Sequence, residues 1–143
     1  MGKNSIDKNI LRILDANINR LKEGLRVCED EVRFVLNSRN HTRQFKAIRH
    51  EIVDLVTQAP FSFASLMQSR DSLHDVGRKS QHSEFKRSND LDIFLANIQR
   101  SKESIRVIEE FFKLIDKRLA EKSKGVRYKI YDLEKKVILS QYK

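Results

Sequence analysis

One segment of this chain occurs twice, and that repeat constrains the fold more than any other feature. Ala16-Asn17-Ile18-Asn19-Arg20-Leu21-Lys22-Glu23-Gly24-Leu25-Arg26-Val27-Cys28-Glu29 returns as Ala96-Asn97-Ile98-Gln99-Arg100-Ser101-Lys102-Glu103-Ser104-Ile105-Arg106-Val107-Ile108-Glu109, at a constant offset of 80. A second match, at an offset of 78, aligns Lys46-Ala47-Ile48-Arg49-His50-Glu51-Ile52-Val53-Asp54-Leu55 with Lys124-Gly125-Val126-Arg127-Tyr128-Lys129-Ile130-Tyr131-Asp132-Leu133. A repeat this long dictates architecture, because each copy must build the same unit. The residues kept twice include Asn, Arg and Glu, which a core does not require.

The unit is helical. Leu11, Leu14, Ile18, Leu21, Leu25, Cys28, Val32 and Val35 recur at spacings of three and four, giving one apolar stripe on a helix from about Asp7 to Leu36. Ser5 or Asp7 is placed to cap it, and Asn37-Ser38-Arg39-Asn40 breaks it. Thr42 reads as the N-cap of a second helix with Phe45, Ile48, Ile52, Leu55 and Val56 inward. That helix stops before Pro60, since the residue ahead of a proline is pushed out of helical geometry. Phe61 to Gln68 reads as one or two helical turns. Asn89 or Asp90 caps a third long helix carrying Ile93, Phe94, Ile98, Ser101, Ile105, Ile108, Phe112 and Ile115. The last runs from Asp116 to Tyr142 with Leu119, Val126, Ile130, Leu133 and Val137 inward.

The expected fold is therefore all-α: a single helical domain over 1–143, built as a bundle of two pseudo-two-fold-related long helical hairpins. The repeats cover about 7–57 and 90–142, with a connector over about 61–89. One Pro and four Gly supply too few turn residues for a many-stranded β fold. A single Cys excludes an internal disulfide and fits a reducing compartment. Neither a span of about 20 apolar residues nor an apolar leader is present, so the expectation is a soluble cytoplasmic protein. The net charge of +9 points to an anionic partner.

With Leu21 and Leu25 centred on the stripe and about 100° per residue, Asn17, Arg20 and Gly24 fall on one flank and Lys22 and Glu29 on the other. The second copy repeats this with Asn97, Arg100 and Ser104 opposite Lys102 and Glu109. Arg offers a planar donor fork for phosphate, and Asn both a donor and an acceptor for a heterocycle edge. If the pseudo-dyad brings the two flanks together, they line a cleft. Glu23 with Arg26, and Arg26 with Asp30, also stand at salt-bridging helical spacings. A duplicated, solvated charged face is thus the competing reading, and pattern alone leaves both standing.

The connector holds Arg70-Asp71-Ser72-Leu73-His74-Asp75-Val76-Gly77. Two carboxylates four apart beside an Arg could anchor Mg²⁺ near a phosphate, or form a polar loop turning at Gly77. Several chemistries have no support. No Gly-x-x-x-x-Gly-Lys-Ser/Thr or Gly-x-Gly-x-x-Gly segment is present. His41, His50, His74 and His82 make no zinc pattern with the one Cys, and Cys28 sits within the apolar stripe.

Ile13-Leu14-Asp15-Ala16-Asn17-Ile18-Asn19-Arg20, Glu23-Gly24-Leu25-Arg26-Val27, Glu29-Asp30, Lys46-Ala47-Ile48-Arg49-His50, Arg70-Asp71, Asp75-Val76-Gly77, and Ala96-Asn97 through Arg106-Val107-Ile108-Glu109-Glu110 succeed one another in a recognisable order. Over about residues 10–135 the chain resembles the small helical hydroxymethylpyrimidine phosphate kinase of thiamine biosynthesis, a domain that occurs alone or fused ahead of thiamine-phosphate synthase. With no synthase barrel after Lys143, the resemblance implies a stand-alone version. It departs from the family's pattern in the second half of the connector, where Arg78-Lys79-Ser80-Gln81-His82 is unusually basic.

The resemblance implies ATP-dependent phosphorylation of 4-amino-5-hydroxymethyl-2-methylpyrimidine phosphate to the diphosphate, with Mg²⁺. On that basis Arg20 and Arg100 are expected to contact phosphates, and Asn17 and Asn97 to orient the pyrimidine or a phosphate. Arg70, Asp71 and Asp75 would close over the transferring group, with Asp71 or Asp75 anchoring the metal. Arg49 with His50, and Arg127, would line the same cleft from the second helices. Two readings from other classes stand beside this one: a basic helical nucleic-acid binder, disfavoured by basic residues dispersed among acidic ones, and a non-enzymatic interaction module that dimerises through its hairpin faces. Whether the chain forms homo-oligomers is open, and no membrane partner is expected.

Overall fold

The computed structural model describes residues 5–81 and 86–142. The fold is all-α. Helix α1 spans Lys8–Asp30 and runs into one π-helical turn at Glu31–Val35; α2 spans Arg39–Thr57, α3 Phe63–Ser69, α4 Asp90–Phe112 and α5 Lys117–Gln141. Among the described residues there is no strand, and no helix is long and apolar enough to cross a membrane.

Short polar side chains start each helix by accepting orphan backbone N–H groups. Asp7 accepts from Asn9 (2.6 Å), Asn89 from Asp92 (2.9 Å) and Asp116 from Arg118 (2.9 Å). Ser62 and Ser65 form a reciprocal capping box on α3. The second helix begins earlier than the sequence suggests. Its cap is Ser38, which accepts the His41 N–H, while the Thr42 hydroxyl donates back to the Ser38 carbonyl at 2.7 Å.

A π turn precedes α2. Leu36 N–H bonds to the Glu31 carbonyl five residues back (3.0 Å), and Asn37 then takes the left-handed conformation at φ 53°. Inserting one residue into the turn rotates the end of the helix out of the stripe. Val35, expected inward, is 54% exposed, and Glu31 is turned in instead. There it accepts the Tyr142 hydroxyl at 2.6 Å, tying the end of α5 to the end of α1.

Helices α1 and α4 form the central antiparallel pair, α5 packs on α4, α2 bridges α1 and α5, and α3 lies against α1. Their shared core includes Leu14, Leu21, Leu25, Phe45, Ile52, Phe94, Ile105, Phe112, Leu119 and Ile130. Ile93, also expected inward, is 39% exposed. The α1–α4 crossing is tight at Gly24. A Cβ there would collide with the Ser101 hydroxyl and lie 2.9 Å from the Asn97 carbonyl.

Equivalent positions of the two hairpins carry equivalent bonds. Asn17 and Asn97 each donate to the carbonyl four residues back, Ile13 and Ile93, at 2.8 Å. Glu29 is held by Arg26 and Arg49, and Glu109 by Arg106 and Arg127. Glu51 and Lys129, which the repeat aligns with each other, are also bonded to each other. Such self-pairing of equivalent positions is what a two-fold relation between the hairpins requires.

Candidate functional site

Two hollows flank one strip of α1. The first is a cleft of about 520 Å³ between α1 and α4, lined by Asn17, Arg20, Arg100, Glu103, Ser104 and Val107, with Gly77 from the connector. The Asn–Arg flank of the first repeat and the Arg of the second thus meet across the pseudo-dyad. Asn97 does not line this cleft: its side chain bonds within α4 and its carbonyl packs on Gly24. In Asn17 one amide N–H is committed to the Ile13 carbonyl, which leaves Oδ1 and the second N–H to offer.

The arginines divide into two classes. Arg49 grips Glu29 through Nε (2.5 Å) and an Nη (3.1 Å), and Arg127 grips Glu109 through Nε at 2.8 Å. Both carboxylates are buried, and the partner Glu109 raises the Arg127 pKa further. Arg49 and Arg127 therefore do not line the cleft: each spans its own hairpin to neutralise a buried carboxylate, and His50 is exposed beside Arg49. Among the described residues, no ion pair or hydrogen bond engages the Arg20 or Arg100 guanidinium. Both are exposed in the cleft, which makes them the guanidiniums there that an incoming anion can recruit.

The second hollow, about 310 Å³, lies on the neighbouring face of α1. Arg12, Asp15, Ala16, Asn19 and Glu23 form its floor, and Arg70, Asp71, Ser72 and Asp75 its wall. Arg70 comes directly after α3 and makes a bidentate pair with the buried Asp15 (2.7 and 2.8 Å), which raises its own pKa. Arg70 is thus the staple that fixes the connector on α1. It is not poised over the first cleft. Sequence reasoning missed Asp15, Asn19 and Glu23; the signal was Asp15 within the apolar stripe of α1, a buried acid that needs a distant cation.

Asp71 binds the His74 ring nitrogen at 2.9 Å, and this bond holds its carboxyl below the usual range. Asp75 accepts the Gly77 N–H at 2.9 Å, folding the loop so that Asp75 faces the second hollow and Gly77 the first. Among the described residues no three His, Cys, Asp or Glu side chains converge as a metal cage. Asp71 and Asp75 nonetheless retain lone pairs, and a Mg²⁺ arriving on a nucleotide asks for only one or two carboxylates besides the phosphates. The donor set fits that use. The basic run at 78–82 is described through Gln81; His82 lies outside the described residues.

The ThiD2 family pattern matches residues 12–136. The chain belongs to the ThiD2 family. Relatives of this ThiD2 chain include proteins named thiamine-phosphate synthase from Gloeobacter violaceus (38% identical over 126 residues, 87% of this chain and 35% of the relative), Synechocystis sp. (38%, with the same shares) and Rhodopirellula baltica (36% over 129 residues, 90% and 34%). The chain spans about a third of the length of these relatives. No solved structure matches it.

Proposed function

We propose that this ThiD2 chain is a phosphotransferase of thiamine biosynthesis that moves the γ-phosphoryl group of ATP onto 4-amino-5-hydroxymethyl-2-methylpyrimidine phosphate. The single observation that carries the reading is the pair Arg20 and Arg100, presented from the two repeats into one cleft and, among the described residues, committed to no carboxylate. The pyrimidine and the thiamine context come from the family resemblance and from the names of the relatives.

The chemistry asks little of the protein in base strength. An oxygen of the acceptor phosphate is already anionic at neutral pH, attacks the γ-phosphorus, and displaces ADP. Catalysis then rests on alignment and on cations facing the charge that spreads over the moving group. One guanidinium on each side of the pseudo-dyad suits a reaction with one phosphate entering from each side. Mg²⁺, held with Asp71 or Asp75, would neutralise charge on the nucleotide. Asn17 Oδ1 and the Ser104 hydroxyl fix the cleft's polar edge.

The test is direct. Purified protein with Mg·ATP and the pyrimidine phosphate, monitored by phosphorus NMR, should show a diphosphate ester and stoichiometric ADP. Absence of both products, with no ligand-induced rise in Tm from ATP or the pyrimidine phosphate, rejects the proposal, because a ligand that binds the native state must stabilise it.

A further inference from the structure

The two hollows differ in charge as well as size. The cleft carries two uncommitted arginines against one carboxylate, Glu103. The smaller hollow carries four carboxylates, from Asp15, Glu23, Asp71 and Asp75, against Arg12 and Arg70, and Arg70 is already neutralised by Asp15. A phosphate dianion that brings no cation is repelled from such a hollow, whereas a donor-rich neutral or cationic edge is drawn to it. Its volume, about 310 Å³, is at the small end of small-molecule sites.

Helical geometry makes the two hollows one step apart. At about 100° per residue, Ala16 and Glu23 lie roughly 40–60° to one side of Arg20, and Asn17 and Gly24 as far to the other. Arg20 is the ridge between them. The connector crosses the same ridge, giving Asp75 to one hollow and Gly77, two residues on, to the other. A small ring bearing a phosphate on a short arm can therefore occupy both at once.

We infer that the smaller hollow receives the amino-substituted heterocycle of the phosphate acceptor, with Ala16 as its floor and the Glu23 carboxylate reading its amino edge; this rests on the phosphotransferase reading above. Asp15 is held by Arg70, Asp71 by His74 and Asp75 by the Gly77 N–H, whereas among the described residues no hydrogen bond or ion pair engages Glu23. It is the carboxylate available to accept an exocyclic N–H, and a protonated ring nitrogen beside that amine would make the contact bidentate. Ala16 ends at Cβ between longer neighbours, which leaves room for a flat ring to lie on it.

Steady-state kinetics of the intact protein with Mg·ATP and the pyrimidine phosphate test the assignment. Glu23→Ala should raise KM for the pyrimidine phosphate by about 10-fold or more, the size of a hydrogen bond to a charged group, and leave KM for ATP within about 2-fold. Glu23→Gln, which keeps one acceptor oxygen, should fall between the two. Ala16→Leu should raise the same KM by filling the floor. Wild-type turnover with the acceptor KM unmoved in all three variants overturns the inference alone, as does a rise in KM for ATP instead. No wild-type turnover rejects the phosphotransferase reading itself.

Discussion

Helices α1 and α4 began as the same sequence and now do different work. In α1 the small residue of the repeat, Gly24, is spent on a close helix crossing; in α4 its counterpart, Ser104, faces the cleft. Leu21 is a core residue, while its counterpart Ser101 is buried with a hydroxyl that has no hydrogen-bond partner among the described residues. Asp15 receives the connector through Arg70, while its counterpart Leu95 is 40% exposed. The bonds inside each hairpin were kept, while the helix crossing, the connector's anchor and the small residue beside the cleft were not. Duplication accounts for the scaffold, and the candidate site draws both on residues kept in the two copies, Arg20 and Arg100, and on residues that were not, Asp15 and Ser104.

The largest effects should come from the buried ion pairs kept in both copies. Removing Glu29 or Glu109 leaves Arg49 or Arg127 largely buried without its carboxylate, so Glu29→Ala and Glu109→Ala should each cost up to about 3 kcal/mol of stability. Urea midpoints at constant m-value would show it. Costs that differ by more than half would break the equivalence of the hairpins.

Next come the two cleft arginines. Arg20→Ala and Arg100→Ala should each lower kcat/KM by about 100-fold, the loss typical of one charge-stabilising donor, with Tm almost unchanged. If both variants retain wild-type kcat/KM, the cleft is not the site of transfer.

The crossing is a smaller lever. Gly24→Ala should destabilise by about 1–3 kcal/mol through overpacking, and Ser101→Ala should not rescue it, because the Asn97 carbonyl is backbone and still 2.9 Å away. At the counterpart, Ser104→Ala introduces no clash and should change stability by less than about 1 kcal/mol while weakening ligand binding.

The smallest effect is a pH slope. Burial, with the Asp90 carboxyl adding to it, raises the Glu31 pKa above its ordinary 4.5. The native state then holds this proton more tightly than the unfolded chain. Stability from this group is full below the unfolded value and is lost as pH rises through the folded one. Glu31→Gln keeps an acceptor for Tyr142 and should flatten that decline in pH-dependent melting curves. Asp71, lowered by His74, contributes the opposite slope, losing stability as pH falls.

The helices were legible because their stripes keep one period for many turns: Leu14, Leu21 and Leu25 needed no tertiary information. The hidden features depended on local geometry or distant pairing. The start of α2 lies at Ser38 because that hydroxyl, read as part of a break, caps the His41 N–H, and the π turn before it is invisible in a 3.6-residue pattern. Arg70 read as catalytic because its partner, Asp15, lies 55 residues away. Arg49 and Arg127 read as cleft residues although the repeat held the clue, since an acid and an arginine about 20 residues apart were both copied. Arg20 and Arg100 could be nominated from pattern, but only the fold shows that they share a cleft and hold no carboxylate.

The chain also carries its own reporter of opening. Cys28 has no exposure, its thiol points at the Phe94 carbonyl 3.6 Å away across the α1–α4 seam, and burial pushes its pKa up. A thiol so placed is silent to alkylating reagents in the closed molecule, since reaction needs the exposed thiolate. The alkylation rate of this one residue therefore counts how often the two central helices part, so a ligand bridging Arg20 and Arg100 across the same seam should slow it without any engineered probe.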